Sequence, residues 1–318
     1  MRFFSAVVTY DPFVYRLGLQ VFILARRVRL PYGSPTIYQP PPSGGFFHET
    51  RQGFPFFSRP AIHVTALHKA AAIQDRKGGR PIAMLTAYDY PTARLLDEGG
   101  IDILLVGDSL GMVVLGFPDT THVTMEHMLH HVAAVARAKP KALVVGDLPI
   151  HSYETPEQAV HTARRLVAAG AEAVKLEGGI RQAEKIRAIT EAGIPVMGHL
   201  GMLPQRVLEE GGYRKKGKTP EQTEALREGA QAIIDAGVFA IVLESVVPDA
   251  ARFLTSALSV PTIGIGCGED TCDGEVAVIT DLLGSYPWFV PPFARPQADV
   301  AGMTSEAVSR YLALVVGR

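Results

Sequence analysis

The most chemically suggestive part of the sequence is residues 102–112, which read DILLVGDSLGM. The short apolar run 103–106 is typical of a strand that is buried on both faces. A carboxylate and a hydroxyl, those of Asp108 and Ser109, follow the run, and polar side chains at the end of a buried strand are well placed to bind a ligand. Both residues are also common at helix N-termini, so this stretch alone leaves a capping role open.

Four further apolar runs carry ionisable residues at or near their ends. These runs are ALVVGDLP with Asp147, AVKLEGG with Lys175 and Glu177, PVMGHLG with His199, and FAIVLES with Glu244. Helix capping explains an aspartate or a serine, but it does not explain this whole set. The recurrence therefore favours one functional site that is built from several strand ends.

The segments between these strand ends predict the elements that position them. Short apolar runs alternate with segments whose apolar residues recur at helical spacing, and glycines such as Gly170 and Gly237 follow the predicted helices. The predicted strands are residues 82–85, 103–106, 142–146, 173–176, 195–198, 239–243, 261–265 and 288–290. The predicted helices are residues 90–98, 125–138, 156–169, 182–192, 221–236, 248–258, 275–283 and 305–316, with a further helical segment from Val64.

Eight strand-helix units in roughly 250 residues favour an α/β fold of the closed (β/α)₈ TIM barrel type over an open doubly wound sheet. The carboxyl ends of all the strands in such a barrel meet at one face, which is where barrel enzymes have their active sites. The residues predicted to surround this mouth are Asp108, Asp147, Lys175, Glu177, His199 and Glu244.

The acidic residues on neighbouring strands predict a metal site. Asp108, Asp147 and Glu177 offer hard oxygen ligands, and the absence of cysteine or of several histidines among them favours Mg²⁺ over Zn²⁺. Lys175 offsets the repulsion between the carboxylates and can bind a substrate carboxylate, or it can simply form an ion pair with Glu177.

The remaining two residues are candidates for proton transfer and orientation. Glu244 lies apart from the acid cluster and is a candidate general base, and the alternative that spacing alone leaves open is a salt bridge with a helix arginine. His199 can orient a substrate or make hydrogen bonds in the core.

Composition limits the class of partner and the compartment. The chain has 318 residues, 47% of them hydrophobic and 20% charged, with a net charge of −1, which argues against nucleic-acid binding. Two cysteines, Cys267 and Cys272, are too few for a disulfide framework and predict a reducing compartment, which we take to be the cytoplasm. No apolar stretch reaches the roughly 18 residues of a membrane span, so we expect no membrane insertion.

Residues 1–62 differ in composition from the rest of the chain. They contain the proline-rich run QPPPSGG and seven arginines against only Asp11 and Glu49. An arginine excess with few acids occurs in mitochondrial transit peptides, but serine is sparse here and no amphipathic repeat is found. We therefore expect residues 1–62 to be a disordered extension and residues 63–318 to form the catalytic barrel, which should fold without the extension.

An ordered series of motifs within residues 64–293 resembles the ketopantoate hydroxymethyltransferase (3-methyl-2-oxobutanoate hydroxymethyltransferase) family. The motifs are TAYDYPTA, VGDSLGM, DLP, TPEQA, VKLEGG, GHLGMLPQ, GGYRKKGK, VLES and IGIG. The resemblance implies a (β/α)₈ barrel of the phosphoenolpyruvate/pyruvate superfamily. It also implies transfer of a hydroxymethyl group from 5,10-methylenetetrahydrofolate to 3-methyl-2-oxobutanoate, the first step of pantothenate biosynthesis.

The same resemblance implies particular roles for the residues at the mouth. It implies that Mg²⁺ is held by Asp108, Asp147 and Glu177 and chelates the 2-oxo acid. The implied substrate contacts are Asp108, Ser109, Asp147 and Lys175.

The implied proton acceptor is Glu244, with His199 in a supporting role, and the implied assembly is a homo-oligomer, a homodecamer in the family. The chain departs from the family pattern at several points, including these three. Cys267 stands where an alanine is usual, Glu275 stands where a glutamine is usual, and the loop 268–273 is one residue longer. These departures concern loop geometry and oligomer contacts rather than the metal site.

Two alternative functions share parts of this evidence. A carbon–carbon lyase or mutase of the same superfamily would share the barrel, the metal and the 2-oxo acid. Such lyases usually carry a cysteine in the loop after the fourth or fifth strand, and neither Cys267 nor Cys272 lies there. A barrel that serves only in binding or assembly is the non-enzyme alternative, but every ionisable residue expected of the family is present.

Overall fold

Eight parallel strands close into a barrel in chain order in the computed structural model, which describes residues 62–317. The strands are β1 (Ile82–Thr86), β2 (Ile103–Val106), β3 (Leu143–Asp147), β4 (Ala173–Glu177), β5 (Val196–Gly201), β6 (Ala240–Glu244), β7 (Thr262–Ile265) and β8 (Gly274–Ala277). Each strand pairs with the next, and β8 pairs with β1. The predicted barrel fold is confirmed. The expectation of a disordered extension concerns residues that, apart from Ile62, lie outside the described part of the chain.

Ten α-helices accompany the strands within residues 62–317. They are α1 (Ile62–Gln74), α2 (Tyr90–Glu98), α3 (Leu110–Val113), α4 (Met125–Ala136), α5 (Pro156–Ala169), α6 (Ala183–Glu191), α7 (Pro220–Asp235), α8 (Pro248–Ala257), α9 (Ile279–Leu283) and α10 (Val300–Val316). Short 3₁₀ helices cover Thr120–His122, Ile180–Gln182 and Pro204–Arg206. None of the helices in this part of the chain is long and apolar enough to cross a membrane.

Local sequence explains why several helices begin where they do. Thr155 and Thr219 each precede a helix, and each side chain accepts a hydrogen bond from a backbone N–H in the first turn. A proline follows each threonine, which suits the first helical position because its missing N–H would have no partner there.

The barrel interior is filled by apolar side chains, so the barrel is packed rather than hollow. Met84, Leu105 and Val145 belong to this inner core, and α1 contributes Ala70 and Ile73 to the same cluster. A second cluster packs the helices against the outer faces of the strands. Because α1 packs against the start of the barrel, the carboxyl ends of the strands form the open end.

The last strand was predicted in the wrong place. The structure has β8 at Gly274–Ala277, where a helix over 275–283 was predicted, and only Ile279–Leu283 of that range is helical. Residues 288–290 form no strand, and Trp288 is 80% exposed. Val276, Ile279 and Leu283 fit a helical period, but pairing of this segment with both β7 and β1 decides its conformation.

Barrel closure at β8 depends on a residue without a side chain. A Cβ on Gly274 would lie 2.3 Å from the backbone oxygen of Ile82 and 2.7 Å from its Cβ, closer than real contacts. Gly274→Ala should therefore push β8 away from β1 and destabilise the protein by about 1–3 kcal/mol, the usual cost of overpacking. The thermal midpoint, followed by circular dichroism, measures this loss.

Gly79→Ala is the matched control for this variant, because a Cβ there has its nearest neighbour at an ordinary 3.4 Å. It should unfold at the wild-type temperature. Equal thermal midpoints for both variants would mean that the contact between β8 and β1 can accommodate a Cβ at residue 274.

Candidate active site

The structure brings all the residues predicted for the mouth to one end of the barrel. Asp147, Glu177 and Glu244 are the last residues of β3, β4 and β6, and Asp108 follows β2 by two positions. The strand register sets Glu177 directly beside His199 on β5. The reasoning from strand ends therefore placed these side chains correctly with respect to the fold.

Three carboxylates form a linked, buried cluster. The backbone N–H of Asp108 donates to Oδ2 of Asp147 at 3.2 Å. Gln205 connects the third member: its Nε2 donates to Oδ2 of Asp108 at 2.7 Å, and its backbone N–H donates to Oε2 of Glu177 at 3.1 Å. We call Asp108, Asp147 and Glu177 the acid cluster.

The acid cluster is short of positive charge. Burial, reinforced by the charges of Asp147 and Glu177, raises the pKa of Asp108 to about 8. Burial also raises the pKa of Asp147, although Lys175 opposes this. A carboxyl group that resists ionisation among other carboxylates is one that a cation would stabilise strongly.

Lys175 lies between the acid cluster and the histidine. Its Nζ is 3.0 Å from Oδ1 of Asp147 and 3.4 Å from Nδ1 of His199. Burial acts to lower the pKa of Lys175, but Asp147, Asp108 and Glu177 outweigh it and raise that pKa, so the ammonium stays charged. The ion pair that Lys175 forms is thus with Asp147, not with its strand neighbour Glu177.

His199 bridges two glutamates. Its Nδ1 is 3.4 Å from Oε1 of Glu177, and its Nε2 is 3.3 Å from Oε2 of Glu244. Burial and Lys175 act to lower the pKa of His199, but the two glutamates raise it to about 9. The imidazole is therefore charged near neutral pH and lies in ion-pair contact with Glu244, whose side chain is 17% exposed.

Ser109 does not cap the helix that it precedes. It occupies the N-cap position of α3, yet its side chain makes no capping hydrogen bond. Its Oγ instead lies 2.8 Å from the hydroxyl of Tyr88. The capping explanation of this residue is therefore wrong, and the hydroxyl is held beside the acid cluster.

Sequence reasoning missed the residues that support the cluster. Gln205 is 4% exposed, and besides its contacts to the acids its Nε2 donates to the backbone oxygen of Leu148 at 3.0 Å. The hydroxyl of Tyr153 donates to Oε1 of Gln205. Both residues are uncharged, so nothing in their type marked them, although Gln205 ends the GHLGMLPQ motif.

The donors present fit a divalent cation. Two buried oxygens, Oδ1 of Asp147 and Oε1 of Glu177, make no hydrogen bond within the described residues, and their contacts are the ion pairs with Lys175 and His199. No group of three or more His, Cys, Asp or Glu side chains in residues 62–317 is arranged so that it could hold a metal ion by itself. Mg²⁺ does not require such a group, because proteins commonly hold it through one or two carboxylates while water and substrate oxygens complete the shell.

Comparison with known proteins assigns the chain to a family. A family model described as ketopantoate hydroxymethyltransferase matches residues 67–318. The chain belongs to the ketopantoate hydroxymethyltransferase family. It is 57% identical over 236 residues to the 3-methyl-2-oxobutanoate hydroxymethyltransferase of Ignicoccus hospitalis, covering 74% of this chain and 89% of the relative. For the Pyrobaculum islandicum enzyme of the same name the identity is 53% over 248 residues, covering 77% and 94%.

Solved structures show the same barrel at much lower identity. A phosphonomutase-like protein from Burkholderia cenocepacia superposes with a TM-score of 0.57 at 17% identity, covering 81% of this chain and 100% of that chain. A phosphoenolpyruvate phosphomutase from Streptomyces platensis superposes with a TM-score of 0.55 at 16% identity, covering 80% and 88%. Identities this low establish the fold alone, whereas the family membership rests on the sequence relatives.

Proposed function

We propose that this protein transfers a hydroxymethyl group from 5,10-methylenetetrahydrofolate to 3-methyl-2-oxobutanoate and so forms 2-dehydropantoate, the first step of pantothenate biosynthesis. The observation that carries the proposal is the buried acid cluster, which lies beside the charged Lys175 and the Glu244–His199 pair. Membership of the ketopantoate hydroxymethyltransferase family supports it.

Asp108, Asp147 and Glu177 would hold Mg²⁺ in this proposal. A bound divalent ion polarises the 2-oxo group of the substrate and makes the hydrogen on C3 more acidic. Oδ1 of Asp147 and Oε1 of Glu177 would supply ligands, since each makes an ion-pair contact but no hydrogen bond within the described residues.

Lys175 and Ser109 bind and orient the oxo acid. The ammonium of Lys175 is buried and charged, so it can pair with the substrate carboxylate as a compact point charge. The hydroxyl of Ser109, fixed by Tyr88, offers a hydrogen bond at the same edge of the mouth.

Glu244 removes the proton from C3, and His199 holds its carboxylate in place through the contact at 3.3 Å. The resulting enolate carbon attacks the methylene group of the folate. One of the two folate C–N bonds breaks in that attack and the hydroxyl of water replaces the other on the methylene carbon, while the two folate nitrogens take up the C3 proton and the second hydrogen of water, which gives tetrahydrofolate.

A turnover assay with purified full-length protein, 3-methyl-2-oxobutanoate, 5,10-methylenetetrahydrofolate and Mg²⁺ tests the proposal. We expect 2-dehydropantoate only when all four are present. Cleavage of a 2-oxo acid without folate would favour the lyase or mutase alternative, whereas no reaction with either would favour a binding role.

We also infer that the protein forms a homo-oligomer. The support is α10, which has no buried residue and exposes Tyr311, Leu312 and Leu314. Apolar side chains in such a row usually contact another surface. A monomer mass by light scattering at micromolar concentration would contradict this inference.

A further inference from the structure

The loop between β7 and β8 contains both cysteines of the chain, Cys267 and Cys272. Both are free thiols, and neither belongs to the candidate active site. Residues 268–271 form a short turn between them, in which the hydroxyl of Thr271 donates to the backbone oxygen of Gly268 at 3.1 Å. The turn brings the chain back on itself, so the two cysteines lie near each other.

Gly264 of β7 packs against both cysteine side chains. A Cβ on Gly264 would lie 3.4 Å from Cβ of Cys272 and 3.6 Å from Cβ of Cys267, and Sγ of Cys272 is only 3.0 Å from that position. The two cysteine Cβ atoms are therefore at most about 7 Å apart, and a disulfide brings such atoms to roughly 3.5–4.5 Å. A shift of a few ångströms is enough for the bond to form.

The contacts at the far end of the loop decide which part has to move. Asp273, directly after Cys272, accepts a hydrogen bond from the backbone N–H of Gly78 at 2.9 Å. It accepts another from the backbone N–H of Thr262 at 2.8 Å. These bonds fix the chain where β8 begins, so the movement that brings the sulfurs together falls on the Cys267 end of the loop.

The two thiols differ in accessibility and in acidity. Cys267 is buried, whereas Cys272 is partly exposed. Contact with Cys267 lowers the pKa of Cys272 to about 6, although burial opposes this, and the same contact together with burial raises the pKa of Cys267. A thiolate that solvent can reach is the form that oxidants attack, and a second thiol beside it can complete a disulfide.

The Cys267 end of the loop is joined to the strand that carries Glu244. Sγ of Cys267 donates to the backbone oxygen of Leu243 at 3.1 Å. The backbone N–H of Ser245 donates to the oxygen of Ile265 at 2.8 Å. A sulfur in a disulfide has no hydrogen to donate, so oxidation removes the bond to Leu243. Movement of this end is then passed to the carboxylate that is proposed to remove the C3 proton.

We propose that Cys267 and Cys272 form a reversible disulfide in response to hydrogen peroxide, and that this bond slows turnover by disturbing the end of β6. The thiolate of Cys272 attacks one peroxide oxygen and releases hydroxide, which leaves a sulfenic acid on Cys272. The thiol of Cys267 then attacks that sulfur, and its proton leaves with the displaced hydroxyl as water. The released hydroxide takes a proton from solvent, so the two thiols are oxidised and the peroxide is reduced to water. A dithiol restores both cysteines by exchange.

The test is peroxide treatment of the full-length protein, followed by titration of free thiols and mass analysis of the peptide that contains residues 267–272. The free thiols should fall from two per chain to none, and the peptide should lose two hydrogens. The chain should stay unlinked to other chains on a non-reducing gel. Formation of 2-dehydropantoate should fall severalfold, and dithiothreitol should restore both the thiols and the turnover.

Cys272→Ser is the matched variant, because it removes the exposed thiol but keeps Cys267 and its contact with Leu243. Its turnover should equal that of the reduced wild type, and peroxide should change neither its turnover nor its single remaining thiol. An equal loss of turnover in this variant would overturn the coupling to Glu244, because the damage would lie elsewhere in the chain.

Three results with the wild type would also contradict the proposal. Two free thiols after peroxide, a peptide that gains oxygen, or chains linked to each other would overturn the disulfide, and a bridged protein with full turnover would overturn the coupling. The effect on turnover rests on the proposed function, whereas the thiol count and the peptide mass do not. A reduced wild type that forms no 2-dehydropantoate would therefore refute the function, and the peptide mass would still decide the disulfide.

Discussion

Asp108→Asn is expected to abolish Mg²⁺-dependent turnover without unfolding the barrel. Asparagine keeps the shape and can still accept the hydrogen bond from Gln205, but it removes a charge from the proposed metal site. Lewis-acid assistance contributes several kcal/mol, so the loss should be about 10³-fold, equivalent to about 4 kcal/mol. Turnover measured across a series of Mg²⁺ concentrations gives this loss directly.

The stability of the same variant provides an independent readout. The pKa of Asp108 is raised from 3.8 to about 8 by burial and by its acidic neighbours. When a carboxyl group has a higher pKa in the folded state than in the unfolded state, the protein loses stability as pH rises, here from about 4 to about 8. Asparagine mimics the neutral acid, so without divalent ions the variant should unfold at a slightly higher temperature than the wild type at pH 5 and at a much higher one at pH 9.

Asp249→Asn is the matched surface change, because the Asp249 side chain is 95% exposed on α8. It should alter neither turnover nor the pH dependence of unfolding. Full activity of Asp108→Asn at limiting Mg²⁺ would remove Asp108 from the metal site.

The positions of the charged residues were predictable from sequence because one physical rule governs them. Parallel strands present their carboxyl ends to the same face, so Asp147, Glu177 and Glu244 had to converge once the alternation of strands and helices was recognised. Their mutual pairing was not predictable in the same way. Lys175 pairs across the strands with Asp147, because inter-strand geometry rather than sequence proximity sets the distance.

The closing strand shows where sequence reasoning fails for a physical reason. β8 has four residues, and its only buried one is Val276, so it carries too little pattern to distinguish a strand from the first turn of a helix. Pairing with β1 and β7 makes this segment a strand, and those two partners lie about 190 and about 10 residues away along the chain. Gln205 was missed for a related reason, since an amide becomes significant only when folding places it between Asp108 and Glu177.

Glu244→Gln is expected to separate binding from chemistry. Glutamine keeps the size of the side chain and can still accept a hydrogen bond from His199, but it cannot take a proton from C3. The oxo acid should bind with Mg²⁺ as before, while proton abstraction slows by roughly 10² to 10⁴. Exchange of the C3 hydrogen of 3-methyl-2-oxobutanoate in D₂O without folate isolates this step from the later bond formation.

The control for the exchange experiment is Glu191→Gln, an exposed glutamate at the end of α6, which should exchange at the wild-type rate. The wild-type rate in Glu244→Gln would mean that another group is the base.

His199 is the candidate that the geometry offers, but its pKa of about 9 depends on both glutamates, so it is charged while Glu244 is present. Removing Glu244 lowers that pKa and frees the imidazole to accept a proton. If the exchange rate of Glu244→Gln increases with pH and is lost in the double variant Glu244→Gln, His199→Ala, the histidine is the substitute base. If Glu244 acts alone, we expect the exchange rate of Glu244→Gln to be slow and independent of pH.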